Sequence, residues 1–285
     1  MFQFDFQTTN SCQAELVEAG SRVKYQAGFD KLSLTSRHYF KFYWFIVLMM
    51  ILIVVSSFKH TGNKTGKLKV TFVNTANGKI ITLRDSLYKN AFDEVYSISK
   101  LKYYISNFSV PGSSVVDEAD PYHLINATEE SNNSFEVSLS PGNYKNISFL
   151  LGVDSIRNCS GAQTGALDPA NDMFWTWNSG YVMLKLEGTS SASKSDLQRI
   201  EHHIGGYKGS NNVATKINLN FSEAQLLQIR ENGVTALVIE TNLDHYWNSK
   251  SEIKISETPI CTTTGDLAKK IALNFTGLFS VKSVK

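Results

Sequence analysis

The stretch LGVDSIRNCSGAQTGALDPANDMFWTWNSGYVMLKLEG, residues 151–188, concentrates the unusual residues of this chain. It holds two of the four tryptophans, Trp175 and Trp177, together with Met173 and Cys159. A predicted strand enters the stretch and another leaves it, and the loop between them is long. Such loops in compact domains are usually functional or disordered. Because disordered segments are poor in aromatic residues, we expect a functional loop here.

Short alternating runs extend from this stretch in both directions along the chain. In residues 97–110, for example, Leu101, Tyr103 and Ile105 point one way and the residues between them point the other. Asn77-Gly78 is a turn signal typical of a hairpin. Further strands are predicted at residues 67–75, 79–83, 122–127, 134–138, 146–153, 181–187, 216–221 and 234–242. Many short strands with turn signals between them predict an all-β fold, an antiparallel β-sandwich.

Two helices and one turn interrupt this pattern. Residues 222–232 predict a short helix, and residues 141–143 (Pro-Gly-Asn) predict a turn. The clearest helix is predicted at residues 264–279, where Thr264 or Asp266 would cap the start. Its apolar residues Leu267, Ile271, Phe275 and Leu278 fall on one stripe. We therefore expect the sandwich to end in a C-terminal helix.

An apolar run without charge, residues 42–58, follows a basic flank and ends in small residues. This pattern is typical of a secretory signal. The alternative is an uncleaved membrane anchor, since the run is close to the roughly 20 residues that span a bilayer. Both readings place the rest of the chain in the periplasm or at the cell surface. The predicted organisation is a leader of doubtful structure (1–36), a signal peptide or anchor (37–60) and one β-sandwich domain (66–285).

The composition and the missing motifs limit the function classes. The formal net charge is only +2, which gives no electrostatic case for nucleic-acid binding. The sequence has no catalytic triad signature, P-loop, Rossmann fingerprint or HExxH motif. We therefore expect a binding protein and not an enzyme, with a hydrolase of unrecognised site as a weaker alternative.

Histidine, methionine and acidic residues offer two kinds of metal site. His202 and His203 are adjacent, so on a strand they point to opposite faces and only one of them can face a given site. Imidazole and thioether ligands suit copper, and the softer sulfur suits Cu(I). A buried structural histidine is the alternative for each. The oxygen-rich side chains of Asp154, Asp168, Asn171 and Asp172 indicate either a calcium site or a hydrogen-bonded loop.

Two further pairs of residues carry predictions. Trp175 and Trp177 share one face if the segment is extended, either as a core aromatic pair or as a binding platform. Cys159 and Cys261 are the cysteines of the predicted exported part. An even pair in an oxidising compartment favours a disulfide between them.

Residues 161–188, with their MFWTWNSGY core, and HHIGGY at 202–207 resemble the MbnP-like copper-binding family. The likeness extends more weakly to YYISNFSV (103–110), YHLINA (122–127) and the terminal helix, so it covers most of residues 66–285. The YHLINA and GAQTGALDPAN segments are similar to the Bacteroidetes-type branch.

The resemblance implies an exported β-sandwich that binds copper for acquisition, storage or handover. It implies that a di-haem enzyme of the MauG type oxidises a tryptophan to kynurenine, whose aniline nitrogen then holds Cu(I) together with a histidine. On this chain the modified residue would be Trp175 or Trp177, with Trp175 preferred, and His203 would be a ligand. His123, Met173 and His202 are further candidate ligands. An outer-membrane copper transporter is a further expected partner.

A second function class is consistent with the same residues. A cell-surface adhesion module would use the tryptophan-bearing loop as a platform for a glycan or a protein, since aromatic faces suit both. The two classes differ at His203, which a copper protein needs and an adhesion module does not.

Overall fold

The computed structural model describes residues 44–50, 64–118, 120–129, 133–161, 163–176 and 179–285. The chain divides into two compact units, Met1–Gly62 and Asn63–Lys285. In the first unit, residues 44–50 are helical (α1) with exposed apolar side chains. Among the described residues, no helix has the length and apolar character that a membrane crossing requires. The predicted leader and most of the predicted signal or anchor lie outside the described residues.

The second unit is built mainly of strands. They are β1 (Gly66–Ala76), β2 (Lys79–Ile80), β3 (Leu87–Lys89), β4 (Val95–Ser109), β5 (Val115–Asp117), β6 (Tyr122–Asn126), β7 (Ser134–Leu139), β8 (Gly142–Tyr144), β9 (Asn146–Leu151), β10 (Phe174–Thr176), β11 (Gly180–Ser190), β12 (Arg199–Gly205), β13 (Thr215–Asn220), β14 (Leu227–Ile229), β15 (Val234–Asn242), β16 (Ile260–Cys261) and β17 (Phe279–Val284). The helices are α2 (Ser155–Cys159), α3 (Asp244–Trp247) and α4 (Asp266–Ala272).

Two large sheets form a sandwich, which confirms the predicted all-β fold class. Sheet A has the order β17-β15-β1-β7-β5, with β2 paired to β1. Sheet B has the order β13-β9-β4-β11-β12-β16, with β10 paired to β11 and with β3 and β6 paired to β4. A small third sheet pairs β14 with β8. Most neighbours are antiparallel, but β1–β15 and β12–β16 are parallel.

The core lies between sheets A and B and is rich in aromatic rings. Phe72 of β1 makes edge contacts with Tyr103 of β4 and Phe149 of β9, with ring centroids 6.2 and 5.8 Å apart. Phe279 of β17 contacts Phe149 at 5.2 Å. The Tyr103 hydroxyl is also fixed, because it donates to Asn74 Oδ1 at 2.8 Å. Aromatic pairs of this kind stabilise beyond their buried area by about 1 kcal/mol each.

Strand β4 alternates as predicted, but near its end buried side chains occur on both of its faces. Tyr103 and Ile105 face sheet A. Tyr104 and Ser106, on the other face, are buried as well. They are buried because the chain between β9 and β11 covers this outer face of sheet B, and the Tyr104 hydroxyl donates to the Ala166 carbonyl at 3.0 Å.

Two local predictions, a helix at residues 222–232 and a turn at residues 141–143, differ from the structure. Residues 222–232 do not form an α-helix, because Leu227–Ile229 make strand β14, which pairs with β8. Leu227 and Ile229 are buried and Gln228 between them is exposed, which is the two-residue period of a strand. The turn predicted at residues 141–143 is replaced in part by strand, since Gly142 and Asn143 belong to β8.

The C-terminal helix is shorter than predicted and is not the last element. Helix α4 ends at Ala272, a 3-10 helix follows (Leu273–Gly277), and β17 then pairs with β15. The N-cap position is Gly265, which makes no side-chain cap hydrogen bond, so neither predicted capping residue is used. The apolar stripe is nevertheless buried at Ile271, Phe275 and Leu278. The stripe therefore identifies the buried side of the segment. The predicted helix does not extend to Phe279, because this residue pairs with Thr241 of β15 as part of a strand.

Candidate functional site

The segment between β9 and β11 has a framework of short elements and side-chain hydrogen bonds. It contains α2, two 3-10 turns (Gly165–Leu167 and Pro169–Asn171) and β10. Asn158 of α2 is fully buried and accepts the Tyr181 N–H at 2.8 Å. The Tyr181 hydroxyl in turn donates to the Leu167 carbonyl at 2.8 Å. Regular structure within the long predicted loop therefore holds it against sheet B.

Beneath this segment the outer face of sheet B carries six charged or titratable side chains, which we call the charged array. Strand register places Lys185 of β11 between Lys102 of β4 and His203 of β12. It places Glu187 between Lys100 and Glu201 in the same way. Residues two apart on a strand share a face, so all six project outwards. The charged array consists of Lys100, Lys102, Lys185, Glu187, Glu201 and His203.

Three lysines of the charged array hold the backbone just before the MFWTW segment. Asp172 Oδ2 lies 3.0 Å from both Lys100 Nζ and Lys185 Nζ. Lys102 Nζ donates to the Asn171 carbonyl at 3.0 Å, and Lys185 also donates to the Asp172 carbonyl. Burial alone would raise the pKa of Asp172, but the hydrogen bonds from Lys185 and Lys100 outweigh it and lower that pKa. Asp172 is therefore a carboxylate that anchors the entry to β10.

His203 is oriented by a carboxylate of the charged array. Its Nε2 lies 2.9 Å from Glu187 Oε1 and 3.8 Å from Glu201 Oε1. The hydrogen bond from His203 is the main cause that lowers the pKa of Glu187 to about 2, although burial opposes it. A neutral imidazole that donates from Nε2 keeps its lone pair on Nδ1. A carboxylate partner of this kind is typical of metal-binding histidines.

Trp175 packs on strand β12, which carries His203. A Cβ added to Gly205 would come within 2.7 Å of Trp175 Cζ3, so the indole packs on the backbone of that glycine. Gly205 follows His203 by two residues on β12, about 7 Å along the strand and on the same face. The preferred tryptophan therefore packs on the strand that carries the preferred histidine, two residues away from it. Trp177 lies outside the described residues.

His202 points to the opposite face, as strand alternation predicts. It is fully buried, with Nδ1 2.8 Å from the Tyr246 hydroxyl and Nε2 2.7 Å from the Thr258 carbonyl. Burial lowers its pKa to about 4, against the effect of the Thr258 hydrogen bond. Both ring nitrogens already have partners, so the structure gives His202 a structural place in the core.

His123 is separated from His203. Its ring stacks on Phe135 of sheet A at 3.7 Å, so it faces the sandwich interior, and its Nε2 lies 3.0 Å from Glu118 Oε1. His123 lies on β6 and His203 on β12, and the strands run side by side in the order β6, β4, β11 and β12. Three interstrand spacings amount to about 14 Å. The two imidazoles therefore do not share a site.

The remaining predicted ligands are dispersed or already bonded. Met173 is fully buried, and its backbone carbonyl accepts the Val182 N–H at 2.8 Å. Asp154 caps α2 and Asp168 caps the second 3-10 turn, while Asp172 binds lysines. These oxygens do not converge as a calcium site requires. Within the described part of the chain, no group of three or more His, Cys, Asp or Glu could hold a metal ion.

The structure has no disulfide between Cys159 and Cys261, so the predicted bridge is wrong. Cys159 adjoins Asn158, which is bonded to Tyr181 at one end of β11. Cys261 pairs with His202, which lies opposite Leu186 further along β11. The five residue steps from Tyr181 to Leu186 span on the order of 17 Å along the strand. Bridged cysteines have Cα atoms within about 7 Å of each other.

Alkylation of the native protein is expected to modify Cys159 and to spare Cys261. Cys159 is exposed, whereas Cys261 is buried and its burial raises its pKa to about 11. Because the thiolate is the nucleophile, Cys261 should react only after unfolding. Peptide mapping after iodoacetamide treatment, without reductant, checks this. If both cysteines resist alkylation even in urea, they are bridged and the structure is contradicted.

Sequence reasoning missed the charged array. The signal was present in the alternation of LKLEG (184–188), SKLK (99–102) and IEHH (200–203), each with polar residues two apart. Charge at alternate positions is also typical of a solvated face of an antiparallel sheet. Only the register shows that these positions lie side by side, and only the covering segment shows that Lys185 is buried.

A family model described as MbnP matches residues 65–263. Among solved structures, the chain is similar to MbnP from Methylosinus trichosporium, with 14% sequence identity and a TM-score of 0.43. That match covers 67% of this chain and 80% of the other. No curated protein shows significant sequence similarity to this chain.

Proposed function

We propose that this chain, which belongs to the MbnP family, is an exported copper-binding protein whose site is built on Trp175 and His203. The observation that carries the proposal is the packing of the Trp175 indole on Gly205, two residues from His203 on one face of β12. The sequence resemblance implies a tryptophan-derived ligand and a histidine ligand, and these residues meet that description.

The donor set fits a soft metal ion with few ligands. An imidazole that keeps its lone pair on Nδ1 suits copper, and the carboxylate of Glu187 would hold the ring in that tautomer. An intact indole only donates a hydrogen bond. Trp175 would therefore become a ligand only after ring opening to kynurenine, which exposes an aniline nitrogen. An imidazole and an aniline nitrogen favour Cu(I) over a hard cation, which takes oxygen ligands.

The partners follow from the resemblance. Ring opening needs an oxidising enzyme, and a di-haem enzyme of the MauG type is the proposed one. An outer-membrane copper transporter is the proposed recipient or donor of the metal. The half-buried indole of Trp175 argues for this function over a glycan platform, because a platform needs an aromatic face open to solvent, and part of this ring packs on Gly205.

Replacing His203 with alanine is expected to lower the Cu(I) affinity by at least about 100-fold, the upper end of what loss of an outer-shell partner costs. The physical reason is the removal of the imidazole ligand while β12 keeps its backbone pairing. Protein from the native host, in which the oxidising enzyme is present, is titrated with Cu(I) against a chromophoric chelator, and circular dichroism verifies the fold.

The matched control is His123→Ala, which removes the histidine that stacks on Phe135 on the opposite side of sheet B. This variant should keep the parent affinity. Full copper affinity in the double variant His203→Ala/His123→Ala would refute the assignment of ligands.

A further inference from the structure

A row of buried aromatic rings crosses the sandwich on the face of sheet B opposite to Trp175. The ring centroids of Tyr88 and Tyr96 are 5.8 Å apart, those of Tyr96 and Trp247 are 5.1 Å apart, and those of Trp247 and Tyr246 are 5.1 Å apart. The row ends at the His202 ring, 5.9 Å from Tyr246. Tyr88 is 4% exposed and the rest are almost fully buried. Rings at these separations are in van der Waals contact or close to it.

At the inner end of the row, Tyr246 has a base as its hydrogen-bond partner. Its hydroxyl lies 2.8 Å from His202 Nδ1, and His202 Nε2 lies 2.7 Å from the Thr258 carbonyl. A carbonyl only accepts, so Nε2 carries the proton. Nδ1 of the neutral ring is then the acceptor, and the phenol donates to it. His202 Nδ1 can therefore accept the proton of Tyr246, which a carbonyl or amide oxygen is too weak a base to do.

The middle of the row has the opposite character. Trp247 Nε1 and the Tyr96 hydroxyl are buried, and within the described part of the chain neither makes a hydrogen bond of good geometry, the side chain of Trp247 itself being the nearest donor to the Tyr96 hydroxyl. Buried polar groups are almost always paired, and an exception calls for an explanation. Because neither atom has a base beside it, a ring that loses an electron keeps its proton. The electron vacancy can then pass to the next ring of the row.

We propose that Tyr246 and His202 form a redox-active tyrosine–histidine pair, connected to the surface by the ring row Tyr88–Tyr96–Trp247. The role extends beyond copper binding and does not depend on it. The one-electron oxidant is a high-valent metal complex that approaches the surface beside Tyr88.

The step balances as a proton-coupled electron transfer. One electron leaves the Tyr246 ring, passes through Trp247, Tyr96 and Tyr88, and reduces the oxidant by one electron. The phenolic O–H bond breaks and the proton moves along the hydrogen bond to His202 Nδ1, where an N–H bond forms. The products are a neutral tyrosyl radical, an imidazolium ring and the reduced oxidant, and the return of one electron reverses the step.

The other buried tyrosines provide matched controls. Tyr103 is fully buried, but its hydroxyl contacts Asn74 Oδ1 and Thr241 Oγ1, neither of which is a base. The Tyr122 hydroxyl contacts the Asp154 carboxylate but lies outside the row. Each of the three replacements Tyr246→Phe, Tyr103→Phe and Tyr122→Phe removes one hydroxyl and keeps the ring.

The test is flash-quench oxidation of the metal-free full chain with a photogenerated ruthenium(III) polypyridyl complex, followed by electron paramagnetic resonance. The parent is expected to give a neutral tyrosyl signal that is lost in Tyr246→Phe and kept in Tyr103→Phe and Tyr122→Phe. In Trp247→Phe the signal should also fall, because the most readily oxidised ring of the row is gone while the Tyr246–His202 hydrogen bond remains.

An unchanged tyrosyl signal in Tyr246→Phe, or an equal loss in Tyr103→Phe, would overturn the proposal. Because the sample contains no copper, neither outcome bears on the proposed copper site, and failure of the two proposals can be told apart.

Discussion

Lowering the pH from 7 to 4 is expected to cost the folded domain about 3 kcal/mol through His202 alone. The unfolded imidazole takes up a proton near its ordinary value of 6.5, whereas the folded one stays neutral until about pH 4 because it is fully buried. Between these values the unfolded state binds one proton more. Stability therefore falls as the pH falls, and the full contribution of His202 is present only above about pH 6.5.

Urea unfolding at several pH values between 7 and 4, in parent and His202→Gln, measures this contribution. A glutamine amide at this position can accept from the Tyr246 hydroxyl and donate to the Thr258 carbonyl, and it does not titrate. The variant should show a flatter dependence of the unfolding free energy on pH, whatever its stability at pH 7. The same slope in both proteins would mean that His202 is not the buried neutral group described above.

Replacing Asp172 with asparagine is expected to destabilise the domain by about 2 kcal/mol. The side chain of Lys185 is 4% exposed, and Asp172 is its carboxylate partner at 3.0 Å. Breaking a buried ion pair by removing one member leaves an uncompensated charge, which costs about 3–5 kcal/mol. Asp172 itself is 61% exposed, so water replaces part of the interaction and the expected loss is smaller.

The double variant Asp172→Asn/Lys185→Met separates the ion pair from the rest of the segment. Because methionine is apolar and of similar length, most of the lost stability should return. The matched exposed pair is Glu240 with Lys282 at 3.2 Å, where Glu240→Gln should change stability by less than about 1 kcal/mol. If Asp172→Asn is as stable as the parent, the lysines do not anchor the entry to β10.

Much of the fold could be predicted from local pattern. The alternation in residues 97–110 predicts β4, and Asn77-Gly78 predicts the hairpin between β1 and β2. The prediction places one long helix at residues 264–279. The spacing of Ile271 and Phe275 fits such a helix, but it does not show that the α-helix ends at Ala272 and continues as a 3-10 helix. Only the partner strand β15 decides that Phe279 pairs as a strand.

The candidate site could be predicted in part. The alternation rule separates His202 from His203, and the resemblance selects Trp175 and His203 as a pair. Neither predicts Glu187 or Asp172, since their roles depend on which strands are neighbours. The same register argues against the disulfide, because Cys261 lies level with Leu186 of β11, whereas Asn158, beside Cys159, bonds to Tyr181 at the start of that strand.

The proposed copper site is tested most directly by peptide mass spectrometry with metal analysis on protein purified from its native host. About one copper per chain is expected, in keeping with a single imidazole site. The peptide carrying Trp175 is expected to have lost the indole C2 carbon and gained one oxygen, the net change that makes kynurenine. An unmodified Trp175 in a protein without copper would contradict the proposed site and leave a β-sandwich whose covered face serves another purpose.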